Sequence, residues 1–407
     1  MGDFHQNGII TILHNLSRQP VEELEAQLNE FSKKRPLGLV LPSLFSELEG
    51  PALAHIVEEV AKVPYLDQIV IGLDRATEDQ YRHALKFFSR LPQHHRVLWN
   101  DGPRLKAIDK KLAQMELAPT EPGKGRNVWY CFGYVLASGL VDAVALHDCD
   151  ILTYERSLLA RLIYPVAHPD FTYKFCKGYY ARFTESKVNG RVSRLLVSPL
   201  LSALKKICSS SESLDYLESF RYPLAGEFSM DTDVLEDLRM PTDWGLEVGI
   251  LYEMKRNYSL NRICQVDIAD TYDHKHQPLS LENVDAGLSK MSIDIAKAIF
   301  KKLATEGEVF TAETFRTIKA TYYRQALDFV EIYHNDALMN GLNLDRHKEE
   351  KAVELFAENI LAAGNNFLEE PNITPFIPAW NRIKSAFTDI MDELKDAVEK
   401  DYEQYHP

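Results

Sequence analysis

The chain has 407 residues, 45% of them hydrophobic and 26% charged, a balance ordinary for a globular protein of two or three structural units. Its 46 Lys and Arg against 60 Asp and Glu give a formal charge of −14, which excludes nucleic-acid binding through a broad basic surface and leaves room only for a local cationic pocket. The five cysteines (Cys131, Cys149, Cys176, Cys208 and Cys264) form no CxxC pair, which points away from a disulfide framework or structural zinc and toward a reducing cytoplasm, and no apolar run is long enough to span a membrane.

Residues 1–35 read as a polar helical segment, with Val21, Leu24, Leu28 and Phe31 at helical spacing and no basic, signal-peptide-like start. Four short apolar runs follow, at 37–41, 67–73, 95–99 and 142–146, each stopped by a polar residue or proline. Helical stretches lie between them at 50–62, 78–89 and 125–138. Strands alternating with amphipathic helices predict an α/β fold with a mostly parallel sheet, whose ligand edge is the carboxyl end of the strands. Residues 151–280 are less regular and read as a second half-sheet with insertions, including a turn at Asn189-Gly190 and the helical run LLVSPLLSALKKI. From Leu288 onward every segment has a 3.6-residue period and none signals a strand. The acidic end, MDELKDAVEKDYEQYHP, reads most simply as a solvated helix face, with a docking surface as the other reading.

Candidate chemistry lies where the strands stop. Asp148-Cys149-Asp150 follows the fourth run, and two carboxylates one residue apart can hold a hard divalent cation while leaving positions for phosphate oxygens. A surface turn with two incidental aspartates is the plainer alternative. Gly123-Lys124-Gly125 offers glycine backbone and a point charge to a phosphate at a helix start, or is simply the loop into that helix. His274, just past the run ICQVDIA, has the chemistry to add a nitrogen ligand to a carboxylate metal site, though a lone histidine is often structural. Asn189-Gly190-Arg191-Val192-Ser193 joins a turn, an arginine and a hydroxyl, a set that suits a phosphate or carboxylate, or a solvated turn. Glu227 and Glu247 each sit near a glycine, placed either to bond sugar hydroxyls or to favour a helix start. HExxH, GxSxG and GxGxxG are absent, which removes zincins, α/β-hydrolases and dinucleotide dehydrogenases of the usual pattern.

Taken in order, LVLPSL, GKG, HDCD, VNGRVSRLLVSPLLSAL, PLAGEF, DWGLEVGILYE and QVDIADTYDHKHQPL resemble the glucosyl-3-phosphoglycerate synthases, retaining glycosyltransferases of the GT-A fold, over about residues 37–280. The mannosyl-3-phosphoglycerate synthases share these motifs. The resemblance implies a GT-A nucleotide-sugar-binding domain over 36–287, with a nucleotide half at about 36–150 and an acceptor half at about 151–287, followed by a helical C-terminal region at 288–407. It implies glucose transfer from a nucleotide sugar, UDP-glucose, to 3-phosphoglycerate, toward the compatible solute glucosylglycerate. Asp150 and His274 would ligate Mg²⁺ or Mn²⁺. Pro42, Ser43, Leu44, Lys124, Asp148, Cys149, Gly245 and Glu247 would hold the donor. Gly190, Arg191, Val192, Ser193 and His276 would hold the acceptor, and Asp150, Glu247 and Lys124 would carry the catalysis. A cytoplasmic homodimer without nucleic-acid or membrane partners is the implied assembly. Three other readings remain at this point: a mannosyl donor or another small acidic acceptor, a sugar-nucleotide-binding protein without turnover, and a nucleotidylyltransferase. The sequence departs from the family pattern at Phe45 and Ser46, at Asp74-Arg75 and at Cys149.

Overall fold

A computed structural model describes residues 6, 8–16, 19–119, 122–184, 186–208, 212–274, 287–371 and 376–406. Eight strands form one sheet. In chain order the strands are β1 (Thr11–Leu13), β2 (Leu37–Leu44), β3 (Leu66–Asp74), β4 (His95–Trp99), β5 (Ala143–Leu146), β6 (Phe175–Tyr180), β7 (Phe228–Asp231), β8 (Met240–Pro241), β9 (Ile263–Ala269) and β10 (Phe376–Ile377). The sheet order is β1-β9-β6-β7-β5-β2-β3-β4, and only β7 runs antiparallel to its neighbours. The expected mostly parallel α/β fold is therefore what forms. Strands β6, β7 and β9, from the region read as a second half-sheet, form the other half of the same sheet, joined because β7 turns back and pairs with β5 across residues 143–146 and 228–231.

The apolar runs are continuous because the sheet is buried on both faces. Leu39, Leu41, Ile69, Ile71 and Val97 pack on one side, against the helices Val21–Ser32, Pro51–Val60, Glu78–Phe88 and Arg156–Ala167. Val40, Val70 and Leu98 point to the other side, where the helices Pro103–Ala113 and Lys124–Ser138 and the C-terminal helices lie. Successive strand side chains alternate between faces, so each run feeds both layers.

Three expectations need correction. Residues 1–35 are not all helical: Thr11–Leu13 extends the sheet, with its Cα partners at Cys264–Val266. Three residues are too short to show an alternating pattern. The C-terminal region is not strand-free, since Phe376–Ile377 pairs antiparallel with Met240–Pro241. The acidic end is a solvated face only in part: Asp392, Glu393, Asp396 and Glu403 are exposed, whereas Asp401 is buried. In the helix Ile390–Tyr405, Leu394 and Val398 are buried. Glu399 Oε2 accepts from Arg96 Nε at 2.8 Å, Glu393 pairs with Lys111 at 2.6 Å, and Asp401 pairs with Arg104. These three carboxylates meet a basic strip on β4 and on the helix Pro103–Ala113.

Of the remaining C-terminal helices, Gly287–Thr305, Ala312–Met339 and Arg346–Glu369 pack on one another and on the segment after Gly190, and Trp380–Ala386 packs on the helices Thr232–Asp237 and Ile390–Tyr405. That segment enters its helix through a π-turn at Val192–Val197, continued by the helix Ser198–Ile207. Trp380 stacks on Trp129 with ring centres 4.0 Å apart, and its indole N–H donates to the Trp129 carbonyl at 3.0 Å. This fastens the C-terminal region to the helix that begins at Lys124. Among the described residues no helix is long and apolar enough to cross a membrane.

Candidate active site

The carboxyl ends of β5, β6 and β9, the start of β7 and the N-termini of the helices Lys124–Ser138 and Leu246–Asn257 surround a cavity of about 350 Å³. Strand ends and helix N-termini at one edge are the ligand-binding geometry of open α/β sheets. Lys124, Asp148, Gly190, Arg191, Val192, Glu247 and His274 all line it, so residues spread over 150 positions of sequence meet at one place.

Lys124 is the centre of the charge network. Its Nζ lies 2.6 Å from Asp148 Oδ1 and 3.1 Å from Glu247 Oε1. Burial alone would favour the neutral amine, but the two carboxylates hold its proton well above the ordinary lysine range. Burial works against the Asp148 charge too, and Lys124 more than offsets it, so Asp148 is held below the usual carboxylate range. An ammonium has three donors, and two are spent here.

The glycines act by space. A Cβ on Gly226 would stand 2.2 Å from Asp148 Oδ2, so the PLAGE loop lies directly against the carboxylate. Gly125, expected to let a phosphate approach, has another use: a Cβ there would sit 2.2 Å from the Pro241 carbonyl oxygen. Its lack of a side chain lets the helix carrying Lys124 pack on the Pro241–Thr242 backbone. Gly190 has φ +73°, a left-handed conformation that suits glycine, at the turn before Arg191.

Asp150 lies beside the cavity with its Oδ2 3.5 Å from His274 Nδ1. Residue 274 is brought there by a bridge to Ile151 and by the Leu152 N–H donating to the Asp273 carbonyl at 2.9 Å. Two adjacent ligands of an octahedral Mg²⁺ or Mn²⁺ stand roughly 3 Å apart, so a carboxylate and an imidazole this close fit a shared cation. Among the described residues no third His, Cys, Asp or Glu joins them. His276 lies outside the described residues.

The other expected residues are nearby but off the cavity wall. Ser43, 2% exposed, donates from Oγ to Glu47 Oε2 at 3.1 Å, and the Leu44 N–H donates to the same oxygen at 3.0 Å. Burial pushes the Glu47 carboxyl up to about 7. Pro42 shares that buried strand end. Cys149 is 2% exposed and burial pushes its thiol up, so it packs as an apolar group. Gly245 caps the helix of Glu247, its N–H donating to Asp243 Oδ1 at 2.9 Å. Ser193 is buried within the π-turn and does not reach the cavity, since the turn directs it into the core. Glu227 is fully enclosed and accepts from Tyr180 at 2.6 Å and Tyr272 at 2.7 Å, which leaves it no path to a sugar hydroxyl.

Arg182, Arg194, Tyr180, Tyr222, Tyr272 and Trp244 also line the cavity and were not singled out from the sequence. Arg182 follows β6 by two residues and donates from Nη1 to the Tyr222 hydroxyl at 3.0 Å. Its signal was position, a cation just past a buried strand, of the kind used for His274. Tyr180 and Tyr272 stack with ring centres 3.6 Å apart, and only the fold reveals that pairing.

No family model matches the chain. It is 45% identical to the glucosyl-3-phosphoglycerate synthase of Persephonella marina, over 98% of this chain and 99% of that protein. It is 38% identical to the one from Methanococcoides burtonii, over 99% of each. In fold it is similar to the Mycobacterium tuberculosis glucosyl-3-phosphoglycerate synthase crystallised with Mn²⁺, UDP-glucose and phosphoglyceric acid (TM-score 0.53, 21% identity, 72% of this chain and 88% of that one). It is similar as well to the mannosyl-3-phosphoglycerate synthase of Rubrobacter xylanophilus (TM-score 0.54, 22% identity, 74% and 83%). With near-complete coverage at 45% and 38% identity, the chain belongs to the glucosyl-3-phosphoglycerate synthase family.

Proposed function

We propose that this chain transfers glucose from UDP-glucose to 3-phosphoglycerate with retention of anomeric configuration. The observation that carries this reading is the Lys124–Asp148–Glu247 cluster sharing one cavity with Arg191. The names of the relatives and the ligands of the mycobacterial structure supply the donor and acceptor. In this reading residues 36–150 form the nucleotide half, 151–287 the acceptor half and 288–407 a helical region that backs both.

Asp150 and His274 would hold Mg²⁺ or Mn²⁺, which when bound supplies positive charge to the departing diphosphate. Lys124, at the positive end of its helix, turns its third N–H to a phosphate oxygen. Glu247 is placed for a sugar hydroxyl with the oxygen Lys124 leaves free, and Pro42, Ser43, Leu44, Cys149 and Gly245 shape the donor side. Gly190, Arg191 and Val192 receive the acceptor's anionic groups. Glu227 is sealed, and Asp148 and Glu247 both hold Lys124, so none of the three is a free nucleophile. That favours a front-face displacement. The acceptor oxygen bonds to the anomeric carbon, the bond to the diphosphate breaks, and the leaving phosphate oxygen takes the hydroxyl proton.

The test is release of nucleoside diphosphate across a matrix of nucleotide sugars and phosphorylated three-carbon acids, with and without EDTA. UDP-glucose with 3-phosphoglycerate is the expected best pair, and EDTA abolishes turnover until Mg²⁺ or Mn²⁺ is restored. A preference for GDP-mannose moves the chain to the mannosyl reaction. Binding without any release makes it a sugar-nucleotide-binding protein. The free cysteines fit a cytoplasmic enzyme, and a homodimer is the assembly the family resemblance implies, to be measured by light scattering.

A further inference from the structure

The C-terminal helix Arg346–Glu369 places a carboxylate behind two arginines that line the same cavity. Glu349 is 3% exposed, and each of its oxygens is taken by an arginine of the turn after Asn189. Oε1 accepts from Arg191 Nε at 2.9 Å and Oε2 from Arg194 Nη2 at 2.8 Å. Arg194 is itself fixed. Its Nε donates to the Asn189 carbonyl at 2.7 Å, and its guanidinium lies 4.8 Å over the ring of Tyr333, on the helix Ala312–Met339. The Asn343 N–H donates to the Ser186 carbonyl at 2.7 Å, a further tie between the two regions.

A guanidinium is a rigid fork of five N–H donors. With Nε on Glu349, the edge that Arg191 has left is the pair Nη1 and Nη2, the edge that binds two oxygens of a phosphate or carboxylate end-on. Arg191 lines the cavity, and Glu349 is its hydrogen-bonded partner among the described residues.

We propose that Glu349 is a positioning residue for the anionic acceptor, fixing the angle at which Arg191 presents that pair. The proposal rests on the reading of Arg191 as the acceptor arginine. Two effects of Glu349 oppose each other. Its negative charge lowers the cluster's net charge from two positive to one, which by itself weakens anion binding. Its two contacts remove the rotamer freedom of a long side chain and keep two guanidiniums from repelling each other. Orientation wins, because a bidentate contact is lost when the fork turns, whereas the charges of Arg191, Arg194 and Arg182 stay at the cavity in any case.

Steady-state kinetics on the full chain test this. Glu349→Gln is expected to raise the acceptor KM by about tenfold and to leave the donor KM within about twofold. Glu349→Asp, one methylene shorter, keeps the charge and falls between. In an Arg191→Lys background Glu349→Gln adds little further change, because a lysine has no fork to orient. An unchanged or lower acceptor KM in Glu349→Gln overturns the proposal. So does a fall in melting temperature with both KM values and kcat moving together, which marks a merely structural role. If Glu349→Gln does not fold, Glu349→Asp carries the same comparison against the same two outcomes. If instead Arg191→Lys and Arg191→Ala both leave the acceptor KM unchanged, it is the acceptor reading of Arg191 that fails.

Discussion

Two residues decide how tightly the ends of the strands are built. Gly226 gives its missing side chain to Asp148. A methyl group there would lie 2.2 Å from Asp148 Oδ2, while the other oxygen of the same carboxylate, Oδ1, is paired with Lys124 at 2.6 Å. Asp148 is short, so the clash is relieved by rotating its carboxylate away from Lys124. A charge-assisted contact is worth about 1.5–3 kcal/mol, and Gly226→Ala should therefore lower kcat/KM for the donor by roughly ten- to a hundredfold. Melting temperature should move little. Wild-type kinetics in this variant would show that the Asp148–Lys124 pair does not matter to the donor. His147, one residue earlier, is fully buried, with no hydrogen-bond partner among the described residues for either ring nitrogen. Burial lowers its pKa from 6.5 to about 3. The unfolded chain binds a proton there below pH 6.5 and the folded chain does not. The stability is thus fully present above about 6.5 and drains away as pH falls toward 3, by an amount on the order of 5 kcal/mol at the acid end. His147→Phe should flatten the acid limb of a plot of unfolding free energy against pH between about 6.5 and 3. An equally steep limb in wild type and variant would assign the acid sensitivity to other groups.

The elements show what a single sequence can reveal. Strands β2 to β5 and the helices Pro51–Val60, Glu78–Phe88 and Lys124–Ser138 were legible to within a few residues, because burial on both faces writes long apolar runs that polar residues interrupt at the ligand edge, whereas the helices Phe45–Leu48 and Pro103–Ala113 were not. The same interruptions drew attention to Asp148, Asp150 and His274, and the glycines of the GKG loop at a helix start to Lys124. Elements defined by their partners were not legible. Thr11–Leu13 and Phe376–Ile377 are strands only because Cys264–Val266 and Met240–Pro241 lie beside them. The π-turn at Val192–Val197 has the same apolar spacing as the α-helix expected there, and its wider turn is what buries Ser193. The GKG glycines show the limit at a finer grain: a glycine signals close approach, but not whether a phosphate or the Pro241 carbonyl is what approaches. Likewise Glu399 and Asp401 are plain helix charges until Arg96 and Arg104 are brought opposite them.

At the scale of the whole molecule the C-terminal helices are part of the wall and not an appendage. Phe300, Phe315, Ile318, Tyr322, Val353, Phe356 and Ile360 are all buried, and they belong to the same continuous core as Val40, Val70 and Leu98 of the sheet. The helix Ala312–Met339 lies on the helix Ser198–Ile207, and the Tyr322 hydroxyl donates to the Leu195 carbonyl at 2.6 Å, inside the π-turn that follows Arg191. Removing residues 288–407 would strip the cover from one face of the sheet and from the helix Lys124–Ser138, including Trp129, and would expose an apolar surface far larger than a soluble monomer carries. It would also remove Glu349 and Tyr333, which hold Arg194 and Arg191. A 1–287 fragment should therefore be recovered as aggregate, or elute in the void volume on size exclusion, with no transferase activity. Because β2, β3, β4 and β5 pair with one another within 37–146, some secondary structure should survive by circular dichroism while cooperative thermal unfolding is lost. A soluble, monomeric fragment that turns over 3-phosphoglycerate would make the C-terminal region a separable module and would remove its place in the acceptor wall.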